Sequence, residues 1–264
     1  MRILTTFNDH IYELSGKKLL DTIEKHMPNS EVWVYEEVSE ENWKEISSLN
    51  LDVRKVSVND LPEVEEVFTN NKDIIDPQYG GKGEGLNHWN WRWYGWFKKI
   101  AMQYDAITRK RHRGTNVFVD ADIRFLKPIS ESFISENLEK PIGLFQGDRN
   151  SVESGFMVVD GTSDFAIEYY KHVMSIFLGQ GFRRLPRWDD SFIFAQSRKK
   201  WPHIIQDFGQ EVQSAKHVNS NGHEAGETII PFTNWGIFIE HDKGAFLRDA
   251  LDETELKDSV PKNT

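Results

Sequence analysis

The chain has no cysteine. Disulfides, thiolate nucleophiles and cysteine-held metals are thereby excluded, and any metal must be bound through oxygen and imidazole. The same absence fits a reducing compartment, so a cytoplasmic location is expected. No stretch approaches about 20 consecutive apolar residues. The apolar opening Ile3 to Phe7 gives way to Asn8-Asp9-His10, too short a run for a signal peptide or a membrane span. Integral membrane contact is not expected, and any membrane contact should be peripheral. Positive charge is also short, with 32 Lys and Arg against 42 Asp and Glu and a formal net charge of -10. Broad attraction to nucleic acid is therefore not expected, although a local basic patch can still bind phosphate.

What the chain does have is material for a core. Nine Trp and 17 Phe stand in 264 residues, enough length and apolar volume for one large α/β domain. Strand-like and helix-like stretches alternate along it. Ile3 to Phe7 reads as a buried strand, Leu14 to Met27 as a helix, Glu31 to Tyr35 as a second strand, Val53 to Val58 as a third and Leu61 to Asn71 as a short helix. Strand, helix, strand in that order predicts a parallel crossover unit. Pro77 to Gly85 is glycine-dense and reads as a surface loop or a lid; it lacks the Gly-Lys-Ser/Thr of a phosphate-binding loop. Trp89 to Tyr104 reads as an aromatic-rich helix, mostly for the core, with an exposed ring available as a sugar platform. The basic run Arg109 to Arg113 reads as a solvated turn.

Asn116 to Val119 is a short strand that runs straight into Asp120-Ala121-Asp122. Acidic groups at the carboxyl end of a strand lie where open α/β sheets bind their ligands. Two carboxylates spaced by two suit a divalent cation that neutralises a diphosphate. On a regular strand their side chains point to opposite faces, so Asp120 and Asp122 can share one ion only if the chain bends there. Further on, Pro141 to Gln146 and Glu153 to Val159 read as strands, Asp164 to Leu178 as an amphipathic helix, Trp188-Asp189-Asp190-Ser191 as the opening of another helix, and Ile229 to Ile239 as a strand leading to His241.

The segment Asn116-Val117-Phe118-Val119-Asp120-Ala121-Asp122-Ile123-Arg124-Phe125-Leu126-Lys127-Pro128 resembles the Asp-x-Asp region of glycosyltransferases with the GT-A fold, in particular the glycogenin-like and lipopolysaccharide galactosyltransferase families. Ser154-Gly155-Phe156-Met157-Val158-Val159 is similar to the strand that follows in those families, and the likeness runs in order over most of the chain. It implies a single Rossmann-like α/β domain with a mostly parallel central sheet flanked by helices. Residues 1–128 would form the nucleotide-binding half, and residues 129–264 the acceptor side and a C-terminal metal-ligand segment.

The implied activity is transfer of a hexose from a nucleotide-diphosphate sugar, a UDP-sugar above all, to a glycan or small sugar hydroxyl. The implied metal is Mn²⁺ or Mg²⁺ on Asp120, Asp122 and His241. Lys243 at the diphosphate is carried over from a compressed version of the family's C-terminal motif. Trp188 to Phe192 is similar to the segment of retaining transferases in which an acidic residue lies beneath the anomeric carbon; Asp190 takes that place, with Asp189 beside it, and either is also a good helix N-cap. Arg92 takes the place of a donor-contacting basic residue on the helix before the motif. Lys99 shares its helical face and Lys98 lies to one side. Topology places the base near Phe7, Asn8 and Asp9, with Tyr12 available to stack on uracil. Two other readings compete. A sugar nucleotidyltransferase should carry a glycine-rich phosphate signature after the first strand, and Phe7 to Tyr12 has none. A non-catalytic carbohydrate-binding protein on the same fold would have no use for intact Asp120, Asp122 and His241.

Overall fold

The structure is a computed structural model that describes residues 1–75, 93–110, 113–146, 152–209, 235 and 238–241. The glycine-dense loop, most of the Ile229 to Ile239 stretch, Arg92 and Lys243 lie outside the described residues.

The chain opens with β1 (Arg2–Asn8) and α1 (Asp9–Ile11), then a turn of π-helix over Tyr12–Gly16 that runs into α2 (Lys17–His26). There follow β2 (Glu31–Glu37), α3 (Glu40–Ser47), β3 (Asp52–Ser57) and α4 (Pro62–Asn70). The described part of the aromatic helix is α5 (Trp93–Thr108), and β4 (Thr115–Val119) and β5 (Ile123–Phe125) flank the acidic motif. The rest comprises α6 (Glu131–Asn137), β6 (Ile142–Gln146), β7 (Val152–Asp160), α7 (Asp164–Leu178), α8 (Asp190–Arg198), β8 (Ile205–Asp207) and β9 (Ile239–His241).

Seven strands form one sheet in the order β3-β2-β1-β4-β7-β6-β8. Strands β3, β2, β1 and β4 run parallel, as do β6 and β8, while β7 is antiparallel to both of its neighbours. The sheet is thus mixed but mostly parallel, in a single α/β domain. Helices cover both of its faces, which is why β1 and β4 read as continuous apolar runs and not as alternating ones. Along β4, Phe118 enters the core formed with α4, α5, α7 and α8, whereas Val117 and Val119 enter the core formed with α2, β5 and α6. Among the described residues no helix is long and apolar enough to cross a membrane.

Local chemistry sets the helix boundaries. Ser39, Ser163 and Asp189 each cap a helix by accepting a hydrogen bond from the third following backbone N–H, and Pro62 begins α4 where no intrahelical donor is needed. Chain direction and strand order place the crevice. The crossovers from β1 lead outward to β2 and β3, while β4 lies on the other side of β1. The split between β1 and β4 is a topological switch point, and ligands of such sheets bind beyond the carboxyl ends of the strands there. Asp120 follows β4 directly at that edge.

Candidate active site

The bend that Asp120 and Asp122 require is present. Strand β4 ends at Val119, Ile123 N–H donates to the Asp120 carbonyl at 3.1 Å across a turn, and β5 then leaves to pair with β9. The motif is held from both sides. Asp120 N–H donates to the Gly155 carbonyl of β7 at 2.8 Å, and Ile123 is paired with His241 in the β5–β9 ribbon. That ribbon carries His241 back to the motif from more than a hundred residues away. One donor atom each from Asp120, Asp122 and His241 lie within 4.8 Å of one another.

The donor set and its surroundings fit a divalent cation. Two carboxylates and an imidazole suit Mn²⁺ or Mg²⁺ as a mostly oxygen set, and the imidazole favours the transition metal. His241 is buried, with Nε2 3.1 Å from Asp122 Oδ1 and Nδ1 3.2 Å from Glu153 Oε1. Space for its ring comes from Gly155, where a Cβ would fall 2.5 Å from His241 Cε1. Strand β7 is bulged at this place: the partners of Leu144 and Phe145 jump from Met157 to Glu153. Such bulges re-aim side chains beside sites. Here Glu153 and Gly155 meet His241, and Ser154 between them meets Lys99.

On the other side of the motif a buried lysine joins two acids. Lys99 Nζ lies 2.6 Å from Asp120 Oδ1, 2.8 Å from Asp190 Oδ2 and 3.3 Å from Ser154 Oγ. Burial disfavours its charge, but Asp120 and Asp190 outweigh this and hold the ammonium above its ordinary range. Asp189 and Asp190 divide their work. Asp189 caps α8 through Phe192 N–H and is clamped by Arg187 at 2.9 and 3.0 Å, whereas the Asp190 carboxylate turns to Lys99. Asp189 therefore serves the backbone and Arg187, and only Asp190 of the pair reaches the acidic motif's neighbourhood.

Of the residues after β1, Tyr12 is buried away from the position expected for it. Phe7 and Tyr12 are 4% and 1% exposed, with ring centroids 5.6 Å apart in the core. Stacking of Tyr12 on a base is not available in this arrangement, because the π-turn folds the ring inward. Asn8 caps α1, and Asp9 accepts from Ser39 N–H at 2.8 Å and from Asn42 Nδ2 at 2.7 Å, which ties β1 to the start of α3. Lys98, set to one side in the sequence reading, pairs with Glu37 and lies over the Tyr94 ring. Lys99, Glu153 and Ser154 are the residues that sequence reasoning missed as site members. Lys99 had a signal, since it shares a helical face with Arg92; Glu153 had none, because its role depends on a bulge and a distant histidine.

The electrostatics of the site favour protons. Burial lowers the His241 imidazole, but the hydrogen bonds and charges of Asp122 and Glu153 overcome it and push its pKa up to about 10. Burial, with Asp122 and Asp190, pushes Asp120 up to about 6 against the pull of Lys99. For His241 the folded value exceeds the unfolded one, so its stabilisation is complete below about pH 6.5 and is lost as pH rises toward 10. The raised Asp120 acts in the same sense between its ordinary value and about 6. A divalent ion held by Asp120, Asp122 and His241 would replace the His241 proton and relieve the carboxylates. Mg²⁺ is therefore expected to raise Tm more at about pH 8.5 than at about pH 6, and His241→Gln to flatten that difference; an equal shift at both pH values would contradict the assignment.

No family model and no curated protein matches the chain. Solved structures do. The apo form of mouse xyloside xylosyltransferase 1 superposes with a TM-score of 0.52 at 14% identity, covering 78% of this chain and 84% of that one. The galactosyltransferase LgtC in complex with donor and acceptor sugar analogs gives a TM-score of 0.51 at 10% identity, covering 100% and 98%. The apo form of the glycosyltransferase GlyE of Streptococcus pneumoniae TIGR4 gives 0.50 at 8% identity, covering 96% and 63%. At such identities the likeness is one of fold, and the fold is the GT-A type seen in these glycosyltransferases.

Proposed function

We propose that this chain is a metal-dependent glycosyltransferase that moves a hexose from a nucleotide-diphosphate sugar, a UDP-sugar, to a glycan or small sugar hydroxyl with retention of anomeric configuration. The observation that carries the reading is the convergence of Asp120, Asp122 and His241 beside Asp190 at the switch point of the sheet. Asp120, Asp122 and His241 would hold Mn²⁺ or Mg²⁺, which when bound supplies Lewis-acid stabilisation to the leaving diphosphate. Residues 1–128 take the nucleotide in the crevice beyond β1 and β4, and residues 129–264 present the acceptor side. Phe7 supports the floor of that crevice from the core; Asn8 and Asp9 form its rim. Arg92 and Lys243 are assigned to the diphosphate by resemblance. The absence of cysteine fits action in the cytoplasm.

Asp190 is assigned to the anomeric carbon. In a retaining reaction its carboxylate either bonds to that carbon as the diphosphate leaves with the bonding electrons and is then displaced by the acceptor hydroxyl, or stabilises the oxocarbenium-like centre until that hydroxyl adds to the same face; in both cases an oxygen of the departed diphosphate takes the hydroxyl proton. Lys99 orients the carboxylate through the contact at 2.8 Å. Inverted linkage in the product, read by NMR, would remove this role from Asp190.

The test of the binding half is calorimetry of UDP, with GDP in parallel, in Mn²⁺ and in excess EDTA. Wild type is expected to bind UDP only with metal, and Asp122→Ala to lose that binding. No binding of either nucleotide in Mn²⁺ would overturn the reading.

A further inference from the structure

Glu153 has no part in the reaction just described, yet it is 5% exposed and faces a metal-site histidine. Its Oε1 lies 3.2 Å from His241 Nδ1, on the far side of the ring from Asp122. The carboxylate is held in turn by Gly155 N–H, which donates to the same Oε1 at 3.3 Å. Gly155 also leaves the ring its room. A neutral imidazole carries one proton on either nitrogen, and only the bare nitrogen can ligate a cation. A buried carboxylate 3.2 Å from Nδ1, a nitrogen that makes no aligned hydrogen bond in this structure, favours the proton there by its charge and leaves Nε2 to face the side of Asp122.

We propose that Glu153 is the positioning residue of this metal centre: through Nδ1 it fixes both the orientation and the tautomer of His241, so that Nε2 is the ligand atom. The proposal rests on the reading of Asp120, Asp122 and His241 as a metal site. It separates two neighbours on one bulged strand, with Ser154 contacting Lys99 on the Asp190 side and Glu153 serving the cation side.

The experiment is titration of Mn²⁺ followed by its EPR signal, on wild type, Glu153→Ala, Glu153→Gln, His241→Ala and the Glu153→Ala/His241→Ala double variant, with folding checked by thermal melts. Glu153→Ala is expected to weaken Mn²⁺ binding about 10–100-fold. Glu153→Gln, whose amide oxygen still accepts from Nδ1–H, should recover most of that loss. In the His241→Ala background, removal of Glu153 should weaken binding no further, because it acts through the ring. Wild-type affinity in Glu153→Ala, or an undiminished loss in the His241→Ala background, overturns the proposal while leaving the metal site standing. Failure of wild type to bind Mn²⁺ overturns the metal reading itself and the proposal with it. A readout that needs no variant is the imidazole ¹⁵N spectrum of the wild-type protein loaded with diamagnetic Zn²⁺: His241 should show protonated Nδ1 and ligated Nε2, and the reverse pattern sinks the assignment.

Discussion

Asp190→Asn is expected to bind UDP and Mn²⁺ as wild type does and to transfer sugar about 10²–10³-fold more slowly, the range seen when one preorganised charge-stabilising group is removed. Asn keeps the size of Asp190 and an oxygen for Lys99, so the ion-pair geometry at 2.8 Å loses charge without losing its shape. The expected signature is a fall in kcat with nucleotide affinity unchanged, since the carboxylate is assigned to the anomeric carbon and not to the diphosphate. Asp189→Asn supplies the contrast. Asn remains a competent N-cap for Phe192 N–H, but the bidentate partner of Arg187 is gone, so the change should register in melting temperature more than in turnover. Equal turnover in wild type and Asp190→Asn would take the reaction away from this carboxylate, whatever the metal site does.

Lys99→Met should be the most destabilising single change in the site. It leaves Asp120 and the buried Asp190 as neighbouring carboxylates without the ammonium between them, and breaking a buried pair from one side costs about 3–5 kcal/mol. For a domain of this size that corresponds to a fall in Tm on the order of 10 °C. Two manipulations should restore part of it. Adding Asp190→Asn removes one orphaned charge, and adding Mn²⁺ gives Asp120 a new partner. A Lys99→Met protein that melts with wild type, or that gains nothing from either manipulation, would show that Lys99 does not neutralise this pair. The same argument explains why the lysine is tolerated in the core: it costs desolvation, yet it allows two carboxylates to stand close together before any cation arrives.

Much of the scaffold was legible in one dimension because its signals are local. The apolar runs of β1, β2 and β4 and the amphipathic spacing of α7 follow from burial on one or both faces, and the structure reproduces α7 as Asp164–Leu178. The start of α8 was legible as well, since Asp189 is an N-cap type standing before a helical run. The pairing of Asp120 with Asp122 was readable as a conditional: they share a site only if the strand bends, and it ends at Val119. What one dimension left open was the division of labour between adjacent like residues. Asp189 and Asp190 are both acids at a helix start, and only the placement of Arg187 and Lys99 tells them apart. Tyr12 read as available to stack on uracil because the π-turn that buries it has no simple periodic signature.

The amino-acid sequence by itself determined many of the elements, their order and the oxygen and imidazole chemistry open to a cysteine-free chain, because periodicity, capping and side-chain type act over a few residues. The resemblance had grouped His241 with Asp122, but tertiary structure alone decided how the two meet, that Lys99 bridges Asp120 to Asp190 and that Glu153 stands behind His241. Those contacts join parts of the chain tens to more than a hundred residues apart, and strand pairing, a bulge and the packing of α5 against the sheet fix them, none of which a local pattern encodes.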